Sequence, residues 1–205
     1  MEDKWKSYIL EFIESALYFI LIFTIVVGIP FMISGVWPPF VSILSESMEP
    51  NINTGDMVFV VDNERYTDNT VYGGVNTMEN ETRKSFNEYG DVIVFNRDGD
   101  NSSVPVIHRA AFYVEEDENW IHRANKNKLS SLSCNEIENC PAPNEGIITI
   151  GDNNKGYDQA AGITKPVKED WIIARAQYRI PLLGLIRNGI EAITSIKLIP
   201  VSNFV

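Results

Sequence analysis

The sequence predicts a mainly β fold: a single N-terminal transmembrane helix followed by an extracytoplasmic antiparallel β-domain. Three observations carry that expectation. Between Glu14 and Glu46, 31 consecutive residues include no Lys, Arg, His, Asp or Glu. From Asp56 onward, seven short runs rich in β-branched and aromatic residues recur between turn residues, the pattern of an all-β domain. No convincing helical periodicity interrupts those runs.

The elements follow in chain order. Residues 1–14 form a short charged N-terminus. Residues 15–36, "SALYFILIFTIVVGIPFMISGV", are long enough for a bilayer, which needs about 20 apolar residues. A cleaved signal peptide is the rival, but its apolar core would hold only about 7–15 residues. Pro30 is expected to kink the span and Pro38-Pro39 to end it. Lys4 and Lys6 precede the span and no Lys or Arg follows it until Arg65. The positive-inside rule therefore puts the N-terminus in the cytoplasm, with a single pass through the cell membrane.

Residues 37–180 make the outer β-domain. Its runs are "DMVFVV" (56–61), "DVIVF" (91–95), "VPVIHR" (104–109), "AAFYV" (110–114), "NWIHR" (119–123), "GIITI" (146–150) and "WIIARAQYRI" (171–180). Two polar stretches, 62–90 and 125–145, read as long surface excursions. Residues 181–205 close the chain, and 182–199 are apolar at roughly helical spacing but carry Arg187, Glu191 and Lys197. That suits an amphipathic segment lying on the membrane or capping the domain, not a second span.

The formal net charge is -11, and most of it falls on the β-domain, which excludes nucleic acid as a partner because phosphate neutralisation needs the opposite sign. Cys134 and Cys140 are disulfide candidates that would close a short loop in an oxidising space. "NET" at Asn80 and "NSS" at Asn101 are glycosylation acceptor patterns.

The chain has two histidines, each within the tetrapeptide Ile-His-Arg-Ala, at 107–110 and 121–124. Four strings could carry chemistry: "SESMEP" (45–50), "GDVIVF" (90–95), "VIHRA" (106–110) and "GDNNKGYD" (151–158). Singly, each could be an ordinary turn or strand. Together they supply Ser, His and Asp on one side of a membrane. A serine hydroxyl becomes a good nucleophile when an imidazole takes its proton and a carboxylate fixes the imidazole's tautomer. A calcium loop at "DNNKGYD" is rejected, since Gly156 falls one position early and Ile163 occupies the place of the bidentate glutamate. Two histidines and two distant cysteines make a poor zinc set.

"SESMEP" shortly after the span, then "GDMVFV", "GDVIVF", "VIHRA" and "GDNNKGYD" in that order, resemble the membrane-bound type I signal peptidases, in particular the archaeal and endoplasmic-reticulum branch. The resemblance implies Ser47 as nucleophile, His108 as general base, and Asp158 as its partner with Asp152 in support, roles the two acids could exchange. It implies an oxyanion hole from the Ser45 hydroxyl and the Ser47 amide. Met48, which would shape the turn, and Ile43 are expected beside the substrate, which would lie extended along a strand edge such as 41–45. The bacterial branch uses a lysine base in this strand; no lysine occurs here between Lys84 and Lys126. Glu46 departs from the pattern, since many relatives have glycine between the two serines.

The implied activity is endoproteolytic removal of signal peptides from exported preproteins, after small residues, with no cofactor. Implied partners are those preproteins, membrane lipids and the protein translocation machinery. The alternative is a membrane-anchored β-domain that binds extended peptides without cutting them. Between the histidines, "EEDEN" (115–119) reads as a turn, so 104–114 and 119–124 are expected to form a hairpin. His108 follows "GDVIVF" as the family pattern requires, which leaves His122 as a polar residue of the outer strand.

Overall fold

The computed structural model describes residues 2–65, 72 and 84–184. The N-terminal helix runs as α1 (Glu2–Phe23), a π turn (Thr24–Gly28) and α2 (Ile29–Ser34). Pro30 explains the change of helix type. It lacks the N–H that would bond back four residues, and its ring crowds that carbonyl, so the preceding turn widens and the helix continues. Lys4–Ser34 is apolar and long enough to cross a membrane, at 31 residues and with none of its apolar window buried against the rest of the protein. At 1.5 Å per residue that is about 45 Å, against about 30 Å of bilayer hydrocarbon.

The helix ends on Gly35, which takes a left-handed φ of 78° and donates its N–H to Phe31 O. Two further terminal carbonyls are satisfied by a side chain: Arg65 Nη1 donates to Met32 O at 2.5 Å and to Ile33 O at 3.0 Å. The end of the helix is thereby tied to the short 3₁₀ turn Asn63–Arg65.

The domain is an antiparallel sheet. Its strands are β1 (Phe40–Ser42), β2 (Met57–Asp62), β5 (Val92–Phe95), β6 (Val106–Val114), β7 (Gly146–Ile150) and β8 (Ile172–Ile180), in the spatial order β1-β2-β8-β5-β6-β7. A separate two-stranded hairpin pairs β3 (Lys84–Ser85) with β4 (Glu88–Tyr89). β5, in the middle of the sheet, is buried along its whole length and separates two apolar clusters. Val92 and Val94 pack with Ile43, Met48, Ile52, Val58 and Val60. Ile93 and Phe95 pack with Ala110, Ile147 and Val167. A third cluster gathers Phe112, Trp120, Ile148 and Tyr157.

Two Gly-Asp dipeptides that precede strands share one use. Asp56 accepts from Arg179 Nη1 at 3.2 Å and also from the backbone N–H of Asn53. Asp91 accepts from Arg175 Nη1 at 3.2 Å. Both arginines lie on β8, so each pair sets that strand against the start of a neighbour.

Three expectations are corrected. "VPVIHR" and "AAFYV" are one nine-residue strand, β6. Its register with β7 slips between Ala110 and Phe112, so the bulge absorbs the apparent break. "NWIHR" is not a strand but a 3₁₀ turn over Trp120–Arg123, and β6 pairs with β7 instead of forming the expected hairpin. Side chains hold that turn. Trp120 is fully buried and donates Nε1–H to Asn139 O, Asn119 accepts from Ile121 N–H, and Arg123 pairs with Glu118. The expectations for residues 185–199 and for the Asn80 acceptor lie outside the described residues; Asn101 is exposed.

Candidate active site

Ser47 sits on the loop between β1 and β2. Ile43, Met48 and Ile52 pin that loop from below, each at most 2% exposed, and Ile52 N–H closes a turn onto Met48 O. The loop is also held from above, because Asn153 N–H donates to Ser47 O at 2.8 Å and Asn153 Nδ2 to Glu46 O at 3.1 Å. Gly151 makes that approach possible: a Cβ there would lie 2.6 Å from Ser47 O.

His108 lies on β6, two residues before Ala110, which is in register with Thr149 of β7. Alternation puts His108 on the same face as Ala110. The imidazole is 7% exposed and bonds at both ends. Its Nδ1 is 2.6 Å from Asp158 Oδ2, and its Nε2 is 3.0 Å from Ser47 Oγ. A carboxylate can only accept from Nδ1–H, which leaves Nε2 as the acceptor for the serine proton. Asp158 is fully buried. Thr149 Oγ1 donates to the same Oδ2 at 2.7 Å, and Asp158 N–H donates to Thr149 O. Gln159, also fully buried, accepts from Thr149 N–H and donates to its hydroxyl oxygen.

Asp152 stands apart from this chain of bonds. Both its oxygens are taken by Arg109, through Nε and Nη2, each at 2.7 Å, and Oδ2 also accepts from Asn51 Nδ2. This is the same use of a Gly-Asp dipeptide seen at 56 and 91. Arg109 Nη1 donates to Ser85 O and Gly90 O at 2.7 Å. One buried guanidinium thus joins the small hairpin, β6 and the 151–154 loop.

The structure therefore brings Ser47, His108 and Asp158 into one line and places Ser45 beside them, its Oγ 3.2 Å from Ser47 Oγ. Among the described residues the Ser47 N–H is not engaged by another group. Met48 and Ile43, expected beside the substrate, are buried in the core beneath the loop, where they form the apolar floor under Ser47. The exposed apolar side chain next to Ile43 is Leu44. Cys134 and Cys140 are disulfide-bonded, with Cα atoms 5.1 Å apart. His122 is exposed on its 3₁₀ turn. Sequence reasoning missed Arg109, Thr149 and Gln159. Arg109 had a signal, as the basic neighbour of the histidine with four Gly-Asp acids to match; the other two had none.

A hydroxyl, an imidazole and a buried carboxylate bonded end to end have the arrangement found in serine hydrolases, here on a β-domain behind a helix long enough to cross a membrane. The proteins to which the chain is similar have names that agree with that class. It is 26% identical over 151 residues to the signal peptidase complex catalytic subunit of Aspergillus terreus, an alignment covering 72% of this chain and 63% of the relative. The same identity and coverage hold for the signal peptidase complex catalytic subunit of Saccharomyces cerevisiae. The chain thus spans less than two thirds of the length of these relatives. No family model matches it. The similarity is to signal peptidases of the endoplasmic-reticulum type, as the motifs had suggested.

Proposed function

We propose that this chain is a membrane-anchored serine endopeptidase that removes N-terminal signal peptides from exported preproteins. The observation that carries the reading is the unbroken chain Ser47 Oγ to His108 Nε2 at 3.0 Å and His108 Nδ1 to Asp158 at 2.6 Å. Ser47 Oγ attacks the scissile carbonyl while His108 takes its proton. The imidazolium, held by Asp158, then protonates the leaving amine of the mature chain. Water attacks the acyl-enzyme with His108 again as base, and Ser47 regains its proton. The Ser47 N–H and the Ser45 hydroxyl would receive the oxyanion. Asp152 supports the site by holding Arg109.

The substrate would lie along β1, whose outer edge has no neighbour in the described sheet. Ile43 bonds back to 55–56 and Pro39 to Val60, so alternation turns the backbone groups of Ser42 and Leu44 toward that edge. The helix places the site close to the membrane, where a signal peptide's apolar segment ends. In this reading the N-terminus is cytoplasmic and the β-domain lies on the extracytoplasmic face of the cell membrane. Lipids surround the anchor and the translocation machinery delivers substrate.

The test is to incubate the full chain in detergent or lipid with a preprotein and sequence the product. A new N-terminus after a small residue is expected, absent with Ser47→Ala. Binding without cleavage would support the peptide-holding alternative and overturn this one.

A further inference from the structure

The excursion 125–145 is more than an insertion beside the site, because its disulfide-closed end touches the turn that carries Asp158. That turn is tight. Ala161 N–H donates to Tyr157 O, Gly162 N–H to Gln159 O and Ile163 N–H to Asp158 O. Asn139 spans its base: Nδ2 donates to Gln159 O at 3.1 Å and to Thr164 O at 3.3 Å. One acceptor belongs to the residue directly after Asp158, and the other closes the turn. At the far end of the loop, Lys128 Nζ donates to Asn154 O and Asn125 N–H to the Tyr157 hydroxyl.

Asn139 is itself held from three directions. Its carbonyl accepts from Nε1–H of the fully buried Trp120. Its φ is 53°, in the left-handed region, where asparagine is among the few side chains tolerated. Its neighbour Cys140 is bonded to Cys134. A side chain held so firmly transmits position. The turn that it clamps carries the carboxylate bonded to His108, and that carboxylate's Oδ2 must face His108 Nδ1 and the Thr149 hydroxyl together.

We infer that Asn139 is a positioning residue for Asp158, and that the disulfide Cys134–Cys140 acts through it to hold the acid against His108. The inference rests on the peptidase reading for its kinetic consequence but not for its spectroscopic one. The chain has two histidines, so a ¹⁵N-histidine-labelled full chain in micelles gives two sets of ring signals. His122→Gln removes one set and assigns the other. The Nδ1 proton of His108, shared with Asp158, should resonate far downfield.

Asn139→Gly keeps the positive φ and deletes only the amide. It should broaden or shift that resonance and leave the signals of His122 unchanged. It should also lower kcat for a preprotein about tenfold with KM little changed, since misplacement short of 1 Å costs less than the hundredfold loss at that distance. Asn139→Asp, which keeps the shape and loses the donor, should do the same if the glycine variant folds poorly. A folded variant with the wild-type resonance and wild-type kcat would overturn the inference and leave the peptidase reading standing. A lower melting temperature with both readouts unmoved would also overturn it, reducing Asn139 to a structural role. If the wild type cleaves nothing while the resonance still responds, the peptidase reading fails and the positioning role stands.

Discussion

Two acids six positions apart in one loop should fail in different ways when neutralised. Asp152→Asn takes the charge from a pair in which both side chains are nearly buried, Arg109 at 6% and Asp152 at 7% exposed. Removing one partner of such a pair leaves the other charge uncompensated, at a cost of about 3–5 kcal/mol. Arg109 Nη1 keeps its bonds to Ser85 O and Gly90 O, which puts the expectation near about 3 kcal/mol. At about 2–4 °C per kcal/mol for a chain of this size, the melting temperature should fall by about 6–12 °C.

Asp158→Asn keeps the size and shape of a fully buried side chain but sets an NH2 against the oxygen for the one place that meets both His108 Nδ1 and the Thr149 hydroxyl. Its amide can no longer fix the imidazole with Nδ1–H toward the acid. Loss of the correct tautomer costs about 10⁴ in kcat in the Ser-His-Asp template, or about 5.4 kcal/mol of barrier. The melting temperature should move by no more than about 3 °C. Circular dichroism melts and preprotein cleavage, measured on the same full-length preparations, separate the two. The reasoning is refuted if Asp152→Asn melts like the wild type, or if Asp158→Asn keeps more than about a tenth of the wild-type rate.

Four further outcomes are expected. Ser47→Ala should abolish cleavage with folding intact, while Ser45→Ala, as loss of one oxyanion donor, should cost about 10²–10³ in kcat. His108→Ala should eliminate processing and His122→Ala, at an exposed turn, should retain it. Gly151→Ala should impair cleavage, because its Cβ would meet Ser47 O, and Glu46→Gly should be almost silent; equal activities of the two would refute the account of the loop. The Tyr113 phenol is pushed up to about 12 by burial and by its hydrogen bond to Glu145; its stabilising contribution is present below the ordinary value near 10 and is lost as pH rises through about 12, so Glu145→Gln should lower the phenolate midpoint in a spectrophotometric titration.

The sequence showed much of this because several signals were local. The 31-residue uncharged stretch, the β-branched runs and the order of Ser47, His108 and Asp158 needed no tertiary information. What it hid depended on side chains reaching across the chain. "NWIHR" has the composition of a strand, but Trp120 finds its partner in Asn139 O, 19 residues away, and the segment turns inward. Strand patterning could not choose between the histidines, since a one-residue slip reverses faces. The structure separates them by partners: His108 meets a buried acid, and His122 lies exposed. The burial of Met48 and Ile43 was hidden for a related reason. Proximity to Ser47 in the chain says nothing about which way an apolar side chain points, and the loop's floor claimed both.

Glu46 shows how a departure from a motif can be harmless. Glycine between two serines matters where the backbone must take a left-handed conformation. Glu46 is not among the residues with positive φ; its carbonyl accepts from Asn153 Nδ2, and its side chain is exposed. The need for glycine lies across the contact, at Gly151, where the backbone passes against Ser47 O. That residue opens the last of the four Gly-Asp dipeptides, whose acid grips Arg109 as Asp56 and Asp91 grip arginines of β8. In three of its four occurrences the dipeptide thus anchors a chain segment to the sheet, while Asp100 accepts locally from Ser102. At Gly151-Asp152 the anchored segment also fixes Ser47 through Asn153 and leads six residues on to Asp158. Serine and acid are held by one loop, and His108 needs only its place on β6 to bridge them.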